Sequence, residues 1–371
     1  MIRSLLPPLL VLLLLTARGQ ENDNFNVVLA INYESAEKTL ELYQGFSGNP
    51  ASIAGLRGSQ IALATTALVS QRPLDTPSLE QALEAVKFNQ SLGDDIFHMK
   101  DARANVAAIR DLLTEARRRN FGQKVVSTVA QLFPSGSRIS TVIPVFFVAF
   151  GDRNVDAFVR RIVWRGTTPV FTGEGEGELT IVVNLAKAVN YGRETDDRFI
   201  GMLSVVAHEV FHAAFGVYKD GSPFWREYYA SRRTPLEHLL DLSHNEGIAY
   251  YLSLIQGSHG RLPNDGLERA QRCFTAFNGA AAELLSPRTS PRRAEEIIRL
   301  SNTSGYWDNY GAITGMIVAR QIDQTLGRQA LVATIAGGPG GFFSTYADLM
   351  KRDPGLPSLS PQILDALGTS R

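Results

Sequence analysis

The sequence predicts an α+β protein, mostly helical, with one small β-sheet. Three observations carry that expectation. Apolar residues recur at three- and four-residue spacing from about 51 to 133, and again from about 195 to 350, which is the helical period. Between those stretches lie short runs rich in Val, Ile, Thr and Phe, bounded by Gly and Asp, which read as strands. With 44% hydrophobic and 20% charged residues in 371, the chain can bury a substantial core, which excludes a disordered protein.

Taken in order, residues 1–19 read as a signal peptide. Met1-Ile2-Arg3 is a short basic start, Leu5–Leu15 an apolar run too short to span a bilayer, and Ala17-Arg18-Gly19 offers small residues for cleavage near Gly19–Gln20. The expectation is a secreted or periplasmic protein with no stable membrane span after signal removal; an uncleaved N-terminal anchor is the alternative. Residues 20–135 form an N-terminal helical region. Phe25–Tyr33 can open it as a short strand, and Ser35 caps a helix running to Tyr43. Helical patterns follow over Ala51–Ser70, Leu79–Asn89, Ile96–Arg119 and Gly122–Phe133, punctuated by Pro73, Pro77, Gly93 and Phe133-Pro134-Ser135-Gly136. This region holds no cluster of acid, base or metal-binding side chains, and His98 stands alone in it.

Residues 136–371 form the second domain. Thr141–Phe150 and Leu179–Asn184 read as strands, with further strand at Arg161–Trp164 and Val170–Thr172. The alternation of Gly and Glu over Gly173–Glu178 reads as a solvated hairpin loop. Formal net charge is zero, so no single-signed field favours nucleic acid or an anionic membrane. Arg117-Arg118-Arg119 ends a helical pattern, where basic residues complement the dipole. The single Cys273 has no internal disulfide partner and reads as a small buried residue.

Thr195-Asp196-Asp197 opens a helix that is apolar nearly all round from Phe199 to Phe215 and stops at Gly216. Such a helix is buried. Within it lies Ala207-His208-Glu209-Val210-Phe211-His212-Ala213. Residues four apart share a helix face, so His208 and His212 aim two imidazoles at one spot, half of a tetrahedral zinc site. Glu209 has the spacing of a carboxylate that reaches a metal-bound water without ligating the metal. A capping box, Thr234-Pro235-Leu236-Glu237, starts a second helix that runs to about Gln256. There Glu246 takes a core-facing slot within Asn245-Glu246-Gly247-Ile248-Ala249, and Gly247 permits close approach of another backbone. His238 and His244 read as non-ligands. Helical patterns at Gly266–Leu285, Pro291–Leu300, Asn309–Leu326, Gln329–Ile335 and Phe342–Met350 complete the chain, with a turn at Gly337–Gly341.

His208-Glu209-Val210-Phe211-His212 followed by Asn245-Glu246-Gly247-Ile248-Ala249 resembles the gluzincin metallopeptidases, the peptidase MA-like clan. Closest in character are uncharacterised zinc-dependent peptidases of bacterial type. Tyr310, Gly315, Leu326-Gly327, Leu331 and Tyr346 are similar to the downstream helix pair of such enzymes. The resemblance covers roughly 179–350 and implies a thermolysin-like zincin core. His208, His212 and Glu246 would hold Zn²⁺, and Glu209 would act as general base in hydrolysis of a peptide or protein substrate. It also implies a hydroxyl donor for the developing oxyanion, Tyr310 first and Tyr306 second, and a sheet edge around Thr180–Asn184 that pairs with the substrate backbone. From its own residues that strand fits a buried core position equally well. The Gly-x-Met-Glu-Asn element of the aminopeptidase branch, which binds a free amine, has no counterpart upstream, so cleavage is expected not to need a free N-terminus. The alternatives are a catalytically inactive zinc-binding or interaction module on the same fold, and a metal hydrolase of a non-peptide amide.

Overall fold

The computed structural model describes residues 24–369 apart from 46, 47, 153, 173–175 and 232. The signal-peptide reading of 1–19 and the first half of the Gly173–Glu178 loop fall outside those residues. Five strands among the described residues form one sheet. They are β1 (Phe25–Asn32), β2 (Ile139–Val148), β3 (Ala157–Arg165), β4 (Thr168–Thr172) and β5 (Glu178–Asn184), in the order β1-β2-β5-β3-β4. The first three in that order are parallel, while β3 runs antiparallel to both β5 and β4. β1 therefore joins a sheet whose other strands all follow residue 135, with Phe25 opposite Ile139.

β5 sits between β2 and β3 and is buried for most of its length. Thr180–Asn184 is thus a core strand, not the substrate-facing edge that the resemblance implies. β3 leaves part of its edge open: β4 covers only Arg161–Arg165, and among the described residues no strand pairs with Ala157–Arg160 on the side away from β5.

Seven helices separate β1 from β2: α1 (Glu34–Tyr43), α2 (Pro50–Ala54), α3 (Arg57–Ser70), α4 (Thr76–Lys87), α5 (Met99–Ala104), α6 (Val106–Arg118) and α7 (Phe121–Ala130). The patterns read as continuous over Ala51–Ser70 and Ile96–Arg119 are each two helices, broken at Gly55-Leu56 and at Asn105. Successive side chains of β2 point to opposite faces. Phe146 meets Gly58 of α3 on one face, and Phe147 meets Phe121 of α7 on the other. A Cβ at Gly58 would lie 2.6 Å from the Ser35 hydroxyl, so glycine is what lets α3 lie this close.

The rest of the chain is helical: α8 (Leu185–Ala188), α9 (Thr195–Gly221), α10 (Pro223–Ala230), α11 (Pro235–Ser258), α12 (Gly266–Leu285), α13 (Pro291–Thr303), a 3₁₀ turn at Tyr306–Asp308, α14 (Tyr310–Leu326), α15 (Arg328–Arg352) and α16 (Pro361–Ala366). α9 runs a turn past Gly216, because Lys219 in its last turn pairs with Asp241 at 3.3 Å and lies over the Phe215 and Trp225 rings. The capping box of α11 forms in both directions, Glu237 N–H to Thr234 Oγ1 and Thr234 N–H to Glu237 Oε2. α11 and α14 cross at glycines: a Cβ on Gly315 would lie 1.8 Å from the Ser243 carbonyl oxygen, and one on Gly247 would lie 2.3 Å from Gly315. Gly337–Gly341 is a kink within α15, not a turn; Gly338 takes φ +65°, a conformation that suits glycine. Cys273 is buried in α12 and its thiol donates to the Trp307 carbonyl.

Candidate active site

α9 and α11 pack side by side and bring His208, His212 and Glu246 together. The two Nε2 atoms lie 3.0 Å apart, and Glu246 Oε2 lies 3.6 Å from His208 Nε2 and 3.4 Å from His212 Nε2. Metal–ligand bonds of about 2.0–2.2 Å in tetrahedral geometry place ligand atoms about 3.3–3.6 Å apart. Three donors spaced this way, two imidazoles and a carboxylate, fit one face of a zinc tetrahedron and leave the fourth position to water or substrate.

The electrostatics of the three groups are mutual. Burial pushes Glu246 up, but His212 and His208 override it and hold the carboxyl well below the usual range. Burial pulls His212 down, but the Glu246 carboxylate outweighs it and raises the imidazole to about 9. Three such groups gathered in a largely apolar helix pair would be costly without a cation to share. His212 Nδ1 lies 3.2 Å from Asn245 Oδ1. An amide oxygen accepts only, so it assigns the proton to Nδ1 and leaves the Nε2 lone pair facing the cluster. Nothing in the sequence pairs Asn245 with His212; the contact follows from the crossing of α9 and α11.

Glu209 does not join the donor set. Its Oε2 accepts from the Val159 N–H on the open edge of β3 at 3.0 Å. Burial, the largest influence, raises its pKa; His208 and His212 pull it down and Glu246 pushes it up. A carboxyl held above its ordinary range, beside the donor set but outside it, is placed to exchange a proton with a neighbouring group.

The tyrosines fall differently from expectation. Tyr310 opens α14, but its hydroxyl donates to the Ile297 carbonyl at 2.5 Å and is committed to joining α14 to α13. Tyr306 lines the same cavity as His208 and Glu209. So does Tyr250, one turn beyond Glu246, a position to which the motif spacing assigns no role of its own. Its ring sits edge-on to His208 with centroids 5.2 Å apart, and its oxygen accepts from Asn309 Nδ2 at 3.0 Å. Burial raises Tyr250 to about 12, Asn309 lowers it, and the Glu246 and Glu209 carboxylates add to the rise. The signal that could have found it is its four-residue spacing from Glu246 on one helix face.

His244 and His238 stay out of the cluster. His244 is buried between Phe215, Trp225 and Phe342. His238 lies with Lys219, Arg233 and Asp241 in a cavity of about 900 Å³ that reaches Asn245 and Glu246. On the other side of the cluster, His208 and Glu209 line a cavity of about 390 Å³. The donor set stands between the two.

Two imidazoles and a carboxylate make a donor set that suits zinc, and a further carboxylate, Glu209, stands beside it at the cavity wall. Residues 57–355 match the model of the family described as "Putative zinc dependent peptidase (DUF5700)", and the chain belongs to that family. No curated protein and no solved structure matches the chain.

Proposed function

We propose that the protein is a zinc-dependent peptidase with a thermolysin-like zincin core, acting outside the cytoplasm as a secreted or periplasmic enzyme. The spacing of His208 Nε2, His212 Nε2 and Glu246 Oε2 on one tetrahedral face carries the reading. Membership of the family supports zinc and peptide hydrolysis. The basic start and apolar run of residues 1–19 support export.

His208, His212 and Glu246 would hold the ion, which when bound would supply an acidified water, with a pKa of about 7, and Lewis-acid polarisation of a carbonyl oxygen. Glu209 takes a proton from the attacking water and delivers it to the amine that leaves as the C–N bond breaks. The Val159 N–H fixes the carboxylate at the edge of the sheet, beside the stretch Ala157–Arg160 that β4 leaves uncovered. The Tyr250 hydroxyl, its oxygen held by Asn309, has its proton left to donate to the developing oxyanion.

Metal analysis and a peptide-library digest test this reading. The expected result is about one zinc per chain and cleavage that o-phenanthroline stops and zinc restores. N-acetylated peptides should be cut as well as free ones. Glu209→Gln should retain zinc and lose activity by several decades. Full zinc occupancy in Glu246→Gln, or activity within tenfold of wild type in Glu209→Gln, overturns the assignment.

A further inference from the structure

The cavity beside His208 and Glu209 has an apolar wall that the chemistry above does not use. Leu68 and Val69, at the end of α3, line it although they are 57% and 43% exposed, and Phe158, Phe171 and Val205 continue it. Its rim charges are engaged. Arg160 donates to the Val159 carbonyl at 2.9 Å and lies over the Phe158 ring, and Asp156 sits 3.9 Å from Lys187. The wall is fixed. α3 packs on β2, β4 and β5, Arg57 at its start lies over the Trp164 ring at 5.0 Å, and Gly58 is seated against Ser35 and Phe146. The cavity beyond Glu246 is the opposite in character, lined by Arg161, Lys219, Arg233 and Asp241.

We infer that Leu68 and Val69 are specificity-determining residues, and that the pocket they wall takes an apolar side chain of the substrate on one side of the scissile bond. Three features select that occupant. The pocket is continuous with His208 and Glu209, so whatever fills it is attached to the reacting peptide. Its volume of about 390 Å³ lies within the range of small ligand sites, about 300–1,000 Å³, and suits one large side chain with part of its backbone. The stretch of β3 that β4 leaves uncovered, Ala157–Arg160, runs along it, so a substrate chain lying there can drop a side chain against α3. The N-terminal helical region thereby acquires a role in choosing the bond that is cut. This inference rests on the peptidase reading, and it is tested by binding so that the two can fail separately.

The test uses the mature, zinc-loaded chain carrying Glu209→Gln, which is expected to bind without cleaving. The probes are N-acetylated, C-amidated heptapeptides of Ala and Gly with one Leu, Phe, Asp or Lys placed at each position in turn. Leu and Phe peptides should bind at least about tenfold more tightly than Asp peptides at one position. Adding Leu68→Lys or Val69→Lys should reverse that order in favour of Asp, while Leu68→Met should keep it. Both residues are exposed, so the variants should melt as the parent does. The same affinity for all four probes, or an apolar preference that survives both Lys substitutions, overturns the inference. Preferential binding that responds to the substitutions, with no hydrolysis by the Glu209-containing enzyme, leaves the pocket assigned and removes the peptidase activity instead.

Discussion

Glu209, His208 and His212 were readable because a helix fixes what four-residue spacing means. Asn245 and Tyr250 were not, since each depends on which helix α11 packs against. Asn245→Ala should weaken zinc affinity by about 10–100-fold, because His212 loses the acceptor that holds its tautomer; titration against a competing chelator measures it. Tyr310 shows the limit from the other side. A pattern of Tyr and Gly placed it at the start of a helix, but sequence spacing cannot say whether a hydroxyl points to a cavity or to the carbonyl of a neighbouring helix. Tyr250→Phe should lower kcat by about 10²–10³ with zinc content unchanged, as loss of one oxyanion donor does. Tyr310→Phe should leave kcat near wild type. The reverse pattern would return the role to Tyr310.

Among the elements, the long helices and β2, β3 and β5 were legible because period and composition are local properties. α10 and α16 were not foreseen, and two helical patterns concealed breaks. Strand order was out of reach for a further reason: the composition of β5 suits an interior position and an edge alike, and only its pairing with both β2 and β3 decides. The α11–α14 crossing was foreshadowed by Gly247 alone, and the tighter contact is at Gly315. Gly315→Ala should cost more than about 3 kcal/mol, above the usual range for overpacking, because the obstacle is main chain and cannot rotate away. Chemical denaturation measures it. Since Ser243 and Glu246 share that helix, zinc retention should fall with stability. Wild-type stability in Gly315→Ala would mean that the helices separate at no cost.

For the whole molecule, metal and pH are linked through the cluster. In the zinc-stripped protein the His212 pKa stands at about 9, above its ordinary 6.5. Its proton therefore contributes stability in full below about 6.5, and that contribution is lost as the pH rises through about 9. Glu246 is held low, so its share is present above the ordinary 4.5 and is lost as the pH falls. The stripped protein should melt progressively lower between pH 7 and 9.5. The zinc-loaded protein should not, because a ligated imidazole carries no such proton. Parallel melting curves for the two forms would show that the cluster does not titrate as a unit.

The parallel pairing of β1 with β2 bears on when this chain can fold. More than a hundred residues lie between Asn32 and Ile139, and the entropy of closing so long a loop must be overcome before Phe25–Asn32 finds its place. Contacts so distant in sequence form slowly. During synthesis Phe25–Asn32 is therefore without its partner until β2 has also been made. In a chain that has lost Phe25–Asn32 the sheet ends instead at β2, whose pairing edge is then open. Such a chain should self-associate at concentrations where the intact protein stays monodisperse, although every candidate zinc ligand is still present.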